Sequence, residues 1–231
     1  MQGRKIVITG GFGALGAATA RAAVAQGARV ALVDFAASAP ADLAAALGEG
    51  AVLIGGADLS DPTLAEAAIG RAAAGLGGID ALLNIAGGFV WQTLQDGDPG
   101  NWDKMFRLNL KTCANASRAA LPALQASGSG AIVNVGANGA VKAAAGMGAY
   151  AASKAGVHKL TESLAEELKG KVRVNAVLPS ILDTAPNRAD MPGADPSAWV
   201  KPEELAAVIL FLASPSASAV TGALMPVTGR V

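Results

Sequence analysis

One cysteine, Cys113, and one histidine, His158, are all that this chain of 231 residues carries of those two types. A lone thiol cannot close an intramolecular disulfide, and its presence fits a reducing compartment. A lone imidazole has no partners for a metal site, so no metal is expected. Net charge is lacking too: 18 Lys plus Arg balance 18 Asp plus Glu. That argues against a nucleic-acid partner. No apolar run reaches bilayer length, and the run Leu205 to Ala213 falls far short. The chain enters a strand-like stretch almost at once, which leaves no room for a signal peptide. A cytoplasmic protein with no nucleic-acid and no membrane partner is therefore expected. Its length suits one three-layer α/β unit and not two.

The opening stretch, Lys5 to Gly27, is the informative one. Lys5-Ile-Val-Ile-Thr9 is apolar and β-branched, as suits a strand buried on both faces. Gly10-Gly-Phe-Gly-Ala-Leu-Gly16 follows directly, and Ala17 to Gln26 then reads as a helix ending at Gly27. Glycines at a strand-to-helix turn let backbone N–H groups approach a pyrophosphate, and the helix N-terminus favours the anion. G-x-G-x-x-G fits here on Gly11, Gly13 and Gly16. The alternative is a tight turn that binds nothing. The next strand, Arg29 to Asp34, ends in an acid 24 residues after Gly10. A carboxylate at that distance can bond both hydroxyls of an adenosine ribose, and would repel the extra phosphate of NADP. The turn carries no Arg or Lys and Phe35 follows Asp34, so NAD is the expected cofactor.

Strand and helix signals alternate beyond this point. Further strands are expected at Ala51–Ile54, Asp80–Asn84, Ala131–Val135, Val172–Val177 and Ala223–Val227. Helices are expected at Pro40–Leu47, from Asp61-Pro62 towards Gly75, at Trp102–Ala126, Tyr150–Leu168 and Pro202–Ala213. Pro122 should kink the Trp102 helix or end it early. Residues 179–200 hold four prolines and read as a loop, fixed or lid-like. The fold class is α/β: a single doubly wound Rossmann-like domain, with a parallel seven-stranded sheet and helices on both faces. Its cleft should lie at the strand C-terminal ends.

These motifs together resemble the short-chain dehydrogenase/reductase family from the first strand to the last. Thr9-Gly10-x-x-x-Ala14-x-Gly16 resembles its cofactor turn, with Ala14 for the usual middle glycine. Asp58-Leu59 resembles the pair whose acid meets the adenine, and Asn84-Ile-Ala86-Gly87 resembles N-N-A-G. Asn109, Tyr150-x-x-x-Lys154 and Pro179 match the catalytic Asn, the Y-x-x-x-K pair and the proline after the sixth strand. The resemblance implies that Tyr150 donates a proton, Lys154 holds the nicotinamide ribose, and Asn109 holds a water in the proton path. It also assigns Phe12, Leu15, Ile181 and Thr184 to the cofactor and implies a homodimer or homotetramer through the two long helices. Residues i and i+4 share a helix face, so the tips of Tyr150 and Lys154 can reach one cleft. The nearby ammonium is expected to favour the charged phenol.

The family's serine, thirteen positions before the tyrosine, is Ala137 here. Losing an oxyanion donor of that kind costs about 2.7–4 kcal/mol in a well-studied protease. Asn138 or Ser180 is the candidate substitute. The missing serine, the turn Gly13-Ala-Leu-Gly16, Ala86-Gly-Gly-Phe89, Gly146-Met147, Ala155-Gly-Val-His158 and the loop from Leu182 through Asn187-Arg188 to Trp199 resemble the dihydropteridine reductase branch. Asn109 follows the general family instead. Three readings follow: an NADH-dependent reductase of a quinonoid dihydropteridine or similar conjugated ring, a short-chain alcohol dehydrogenase or carbonyl reductase with another donor, and a cofactor-binding sensor without turnover. Phe89, Trp91, Ala137, Asn138, Asn187 and Trp199 are the expected substrate contacts. Trp91 and Trp199 either stack on a flat ring or cap the core. His158 and Cys113 read as structural, and Trp102 and Met105 as helix packing.

Overall fold

The computed structural model describes residues 1–231. Seven strands form one sheet: β1 Lys5–Thr9, β2 Arg29–Val33, β3 Val52–Ile54, β4 Ala81–Asn84, β5 Gly130–Val135, β6 Val172–Pro179 and β7 Leu224–Val227. Their order is β3-β2-β1-β4-β5-β6-β7, and every pairing is parallel. The order reverses between β1 and β4, so a crevice opens there above the strand C-termini. Strand side chains alternate between faces. Ile6 and Ile8 of β1 enter one core, with α1 (Ala14–Ala25), α2 (Ala41–Leu47) and α8 (Pro202–Ala213). Val7 enters the other, with α3 (Pro62–Leu76), α5 (Thr112–Ala126) and α6 (Gly148–Glu167). A strand buried on both faces needs an unbroken apolar run, which is what Ile6 to Ile8 offers.

Helix starts follow local chemistry. Helix α1 opens at Ala14 rather than Ala17, because extended Gly13 caps it and draws Ala14, Leu15 and Gly16 into its first turn. Helix α3 opens as expected: the Asp61 carboxylate accepts from Thr63 N–H and Leu64 N–H, and Pro62 takes the first position. Pro122 does not end its helix early. Helix α5 runs past it to Ala126. Pro122 and Arg118 are both exposed, so water can meet the carbonyl that the ring strips of its donor. The irregularity lies about three turns earlier. Between α4 (Gly100–Met105) and α5 the chain makes a π-helical turn, Phe106–Lys111, with Asn109 inside it. Such turns interrupt the regular ladder and often sit at functional sites.

Residues 179–200 hold more structure than a loop. They contain α7 (Ala185–Asp190), a 3-10 turn at Pro196–Ala198 and a bridge between Leu182 and Val200. No helix is long and apolar enough to cross a membrane.

Candidate active site

At the β1 end the glycines make room rather than contacts. Gly10 has φ +65°, and a Cβ on it would come within 2.8 Å of the Ala86 backbone. A Cβ on Gly16 would overlap the Gly10 carbonyl oxygen. The turn therefore packs backbone to backbone and leaves its outer face to a cavity of about 850 Å³. That volume suits a cofactor. Gly10, Phe12, Ala14, Leu15 and Gly16 line it. Across from them lie Asp34, Asp58, Leu59, Ala86 and Gly87. The Asp34 carboxylate accepts from Phe12 N–H and from Ala36 N–H, both at 2.9 Å, so backbone fixes it at the rim. Exposed Phe35 lines the cavity beside it.

Two expectations about this half need correction. Asn84 does not line the cavity. It is buried, and its amide donates to Ser117 Oγ (3.0 Å) and Asn134 Oδ1 (2.8 Å), tying β4 to α5 and β5. Cations are also at hand, because α4 and the π turn bring Lys104 and Arg107 to the cavity wall. Arg107 donates to Ser60 Oγ at 3.1 Å and lies 3.8 Å from Asp58. Asp58 accepts from Ser60 N–H, and its pKa is lowered mainly by hydrogen bonds from Ser60, with Arg107 adding to them. Sequence separation hid both cations, since each lies some seventy residues from Asp34.

The catalytic candidates meet beyond Gly87. A Cβ there would come within 2.6 Å of Asn109 Oδ1 and 3.3 Å of Lys154 Nζ, so only glycine lets these groups converge. Asn109 Oδ1 accepts from Gly88 N–H (2.9 Å), and its Nδ2 donates to Gly88 O (3.1 Å) and Ser153 Oγ (2.9 Å). The Ser153 hydroxyl donates to the Tyr150 carbonyl at 2.7 Å. Lys154 Nζ is buried and donates to the Val135 carbonyl at 2.7 Å. Burial brings its pKa down to about 8. Burial also pushes the Tyr150 phenol up to about 12, against the expectation that the ammonium would favour its charged form. Burial is the cause, because it penalises the charged phenolate. Tyr150 therefore holds its proton at neutral pH.

The substrate side separates the expected residues. Phe89 meets Tyr150 edge to face, with ring centroids 4.9 Å apart, and stays half exposed. Trp91 Nε1 donates to Ala145 O (3.1 Å), and its ring lies against Gly146, whose φ of +77° also suits glycine. Trp199 is 3 % exposed, so it caps the core and does not face a ligand. Asn187 Nδ2 donates to Leu182 O (2.8 Å) and Thr184 Oγ1 accepts from Asn187 N–H, so both serve the loop itself. Pro179 ends β6, and Ile181 lies beside the bridge that closes the loop. Ser180 donates its hydroxyl to Thr228 O at 2.7 Å, which removes it as a substitute for the missing serine. Asn138, next to buried Ala137, is exposed.

Comparison with known proteins agrees with this geometry. Residues 4–193 match the family model described as short chain dehydrogenase. A cis-4-hydroxycyclohexanecarboxylate dehydrogenase from Sinomonas cyclohexanicum is 38% identical, with 98% of this chain and 95% of that protein covered. A short-chain dehydrogenase/reductase structure from Brucella melitensis, titled glucose/ribitol dehydrogenase, superposes with TM-score 0.92 at 32% identity, covering 99% of this chain and 96% of that one. A 3-ketoacyl-(acyl-carrier-protein) reductase from the same organism, complexed with NADH, gives 0.87 at 28% identity, covering 99% and 98%. No dihydropteridine reductase stands among these relatives, so the finer resemblance gains no support from them. With the family model matched over most of its length and its sheet in the expected order, the chain belongs to the short-chain dehydrogenase/reductase family and is an oxidoreductase.

Proposed function

We propose that the protein is an NADH-dependent reductase of a carbonyl compound, or in reverse a secondary-alcohol dehydrogenase, in which Asn138 takes the place of the family's serine. The observation that carries this reading is the meeting of Lys154 and Asn109 at Gly87, one helical turn from Tyr150 and at the end of the nucleotide cavity. Relatives named for hydroxyl and keto substrates support it. The Gly10–Gly16 turn would hold the pyrophosphate and Asp34 the adenosine ribose. Bound NADH would supply the hydride. Tyr150 gives its proton to the carbonyl oxygen, and the Asn138 amide donates to the same oxygen as charge develops there. Lys154 and Asn109 lie on the return path for the proton. A homodimer or homotetramer built on α5 and α6 is part of this reading.

A quinonoid dihydropterin is the second reading. Ala137 in place of serine favours it, and so do two exposed aromatic rings, Phe89 beside Tyr150 and Trp91 against Gly146. Steady-state NADH oxidation with cyclic ketones, 3-oxoacyl thioesters and quinonoid dihydropterin separates the two. Ketone turnover faster than pterin turnover is expected, and the reverse order would transfer the assignment to the pterin. The same assay run with NADPH should give a kcat/KM about tenfold lower, a difference of some 1.4 kcal/mol. Asp34 repels a 2′-phosphate, and the turn beside it carries no Arg or Lys to offset that repulsion. Asp34→Ala should close the gap, and equal use of both cofactors by wild type would refute the role given to Asp34.

The pH profile follows from Lys154. Its pKa near 8 leaves the ammonium intact below that value and removes it above. The kcat/KM for carbonyl reduction should hold level up to about pH 8 and then fall, approaching tenfold per unit for one essential proton. A profile flat to pH 10 would show that the charged lysine is dispensable.

A further inference from the structure

His158 lies one turn beyond Lys154 on α6 and is 5 % exposed. Its Nε2 accepts the Ala137 N–H at 3.2 Å. The ring sits so close to β5 that a Cβ on Gly136 would come within 2.5 Å of Nε2. Lys154, on the same helix face, meanwhile holds the Val135 carbonyl. The two side chains thus grip alternate backbone groups on either side of Gly136. Ala137 is extended there and caps the 3-10 turn that begins at Asn138.

We infer that His158 is a positioning residue: its neutral ring, through the Ala137 N–H, fixes the Ala137–Asn138 backbone against the helix that carries Tyr150. This rests on the proposed role of Asn138. In the family pattern a serine hydroxyl on this segment locates the substrate. Here the segment must present a longer side chain from its next residue, so its backbone has to be held instead. Nε2 can accept only while the ring is neutral with its proton on Nδ1. Burial and the Lys154 charge both lower the His158 pKa, consistent with that state.

Two substitutions and one spectrum test the inference. His158→Leu keeps volume and loses the acceptor. It should lower kcat for the best carbonyl substrate by roughly tenfold, the size of one buried hydrogen bond, and leave the NADH Kd within about twofold. His158→Gln restores an acceptor at a similar reach and should recover most of the loss. Thermal melts of both variants identify a fold defect. His158 is the only histidine, so the imidazole nitrogen resonances of wild type are unambiguous and need no variant. They should report the Nδ1–H tautomer with a hydrogen-bonded Nε2 at neutral pH. A protonated ring or the Nε2–H tautomer would overturn the inference. So would a Leu variant with wild-type kcat, or a Gln variant as slow as Leu at equal melting temperature. Wild type that turns over no carbonyl at all would sink the proposed function, whereas the nitrogen spectrum judges the backbone contact independently of substrate.

Discussion

Tyr150→Phe is expected to lower kcat by about a thousandfold, within the range a positioned general acid contributes, while NADH affinity changes by less than about threefold. The ring keeps its edge contact with Phe89, so the wall of the cleft survives and only the hydroxyl is lost. No other group nearby can replace it. Tyr150 is the only tyrosine in the chain, and the Lys154 ammonium is committed to the Val135 carbonyl. Single-turnover rates and a fluorescence titration of NADH give the two numbers. Retention of most activity on the best substrate would show that the proton comes from elsewhere.

Ala137→Ser is the second large effect, and it runs upward. The variant should speed ketone reduction by as much as ~10²-fold, the lower value measured for an oxyanion-hole donor. The position suits it. Ala137 has extended backbone at the exit of β5, and its N–H is already held by His158, so the added hydroxyl need not serve the main chain. Wild type and variant assayed together on a cyclic ketone and on quinonoid dihydropterin give the comparison. A gain confined to the ketone supports a carbonyl site in which the Asn138 amide replaces the serine only in part. No gain on the ketone, with melting temperature unchanged, would mean that Asn138 already supplies the full donor or that the substrate oxygen lies elsewhere.

The sheet was legible because its strands are buried on both faces. Lys5–Thr9, Ala131–Val135 and Val172–Val177 are short stretches rich in Val, Ile and Ala, and the structure places each as an interior strand. The cofactor turn was legible because its residues are contiguous. What escaped the sequence depends on long-range packing. The fate of Trp199, Asn187, Thr184 and Ser180 was set by how residues 179–200 fold back on themselves, and residue type alone does not reveal a hydroxyl already spent on Thr228. Lys104 and Arg107 reach the nucleotide cavity from a helix with no motif to announce them. The π turn around Asn109 has no proline or glycine signature within it. His158 read as structural because periodicity gives a face but not the backbone group opposite it. The burial of Tyr150 and Lys154 reversed a pKa expectation that proximity alone had suggested.

The two outer strands of the sheet bear on how the protein behaves in a crowded solution. A parallel sheet with open edges is a template for unwanted strand addition, since its outermost backbone groups are free. One edge, β3, is only three residues long, Val52–Ile54. On the other, β7, the Ala223 and Val227 carbonyls accept from Ala176 and Ser180 of the neighbouring strand, so the alternate residues Leu224 and Pro226 turn their backbone outward. Pro226 has no N–H to offer at that outward position. An incoming chain meets a short edge on one side and a missing donor on the other, and both discourage edge-to-edge aggregation.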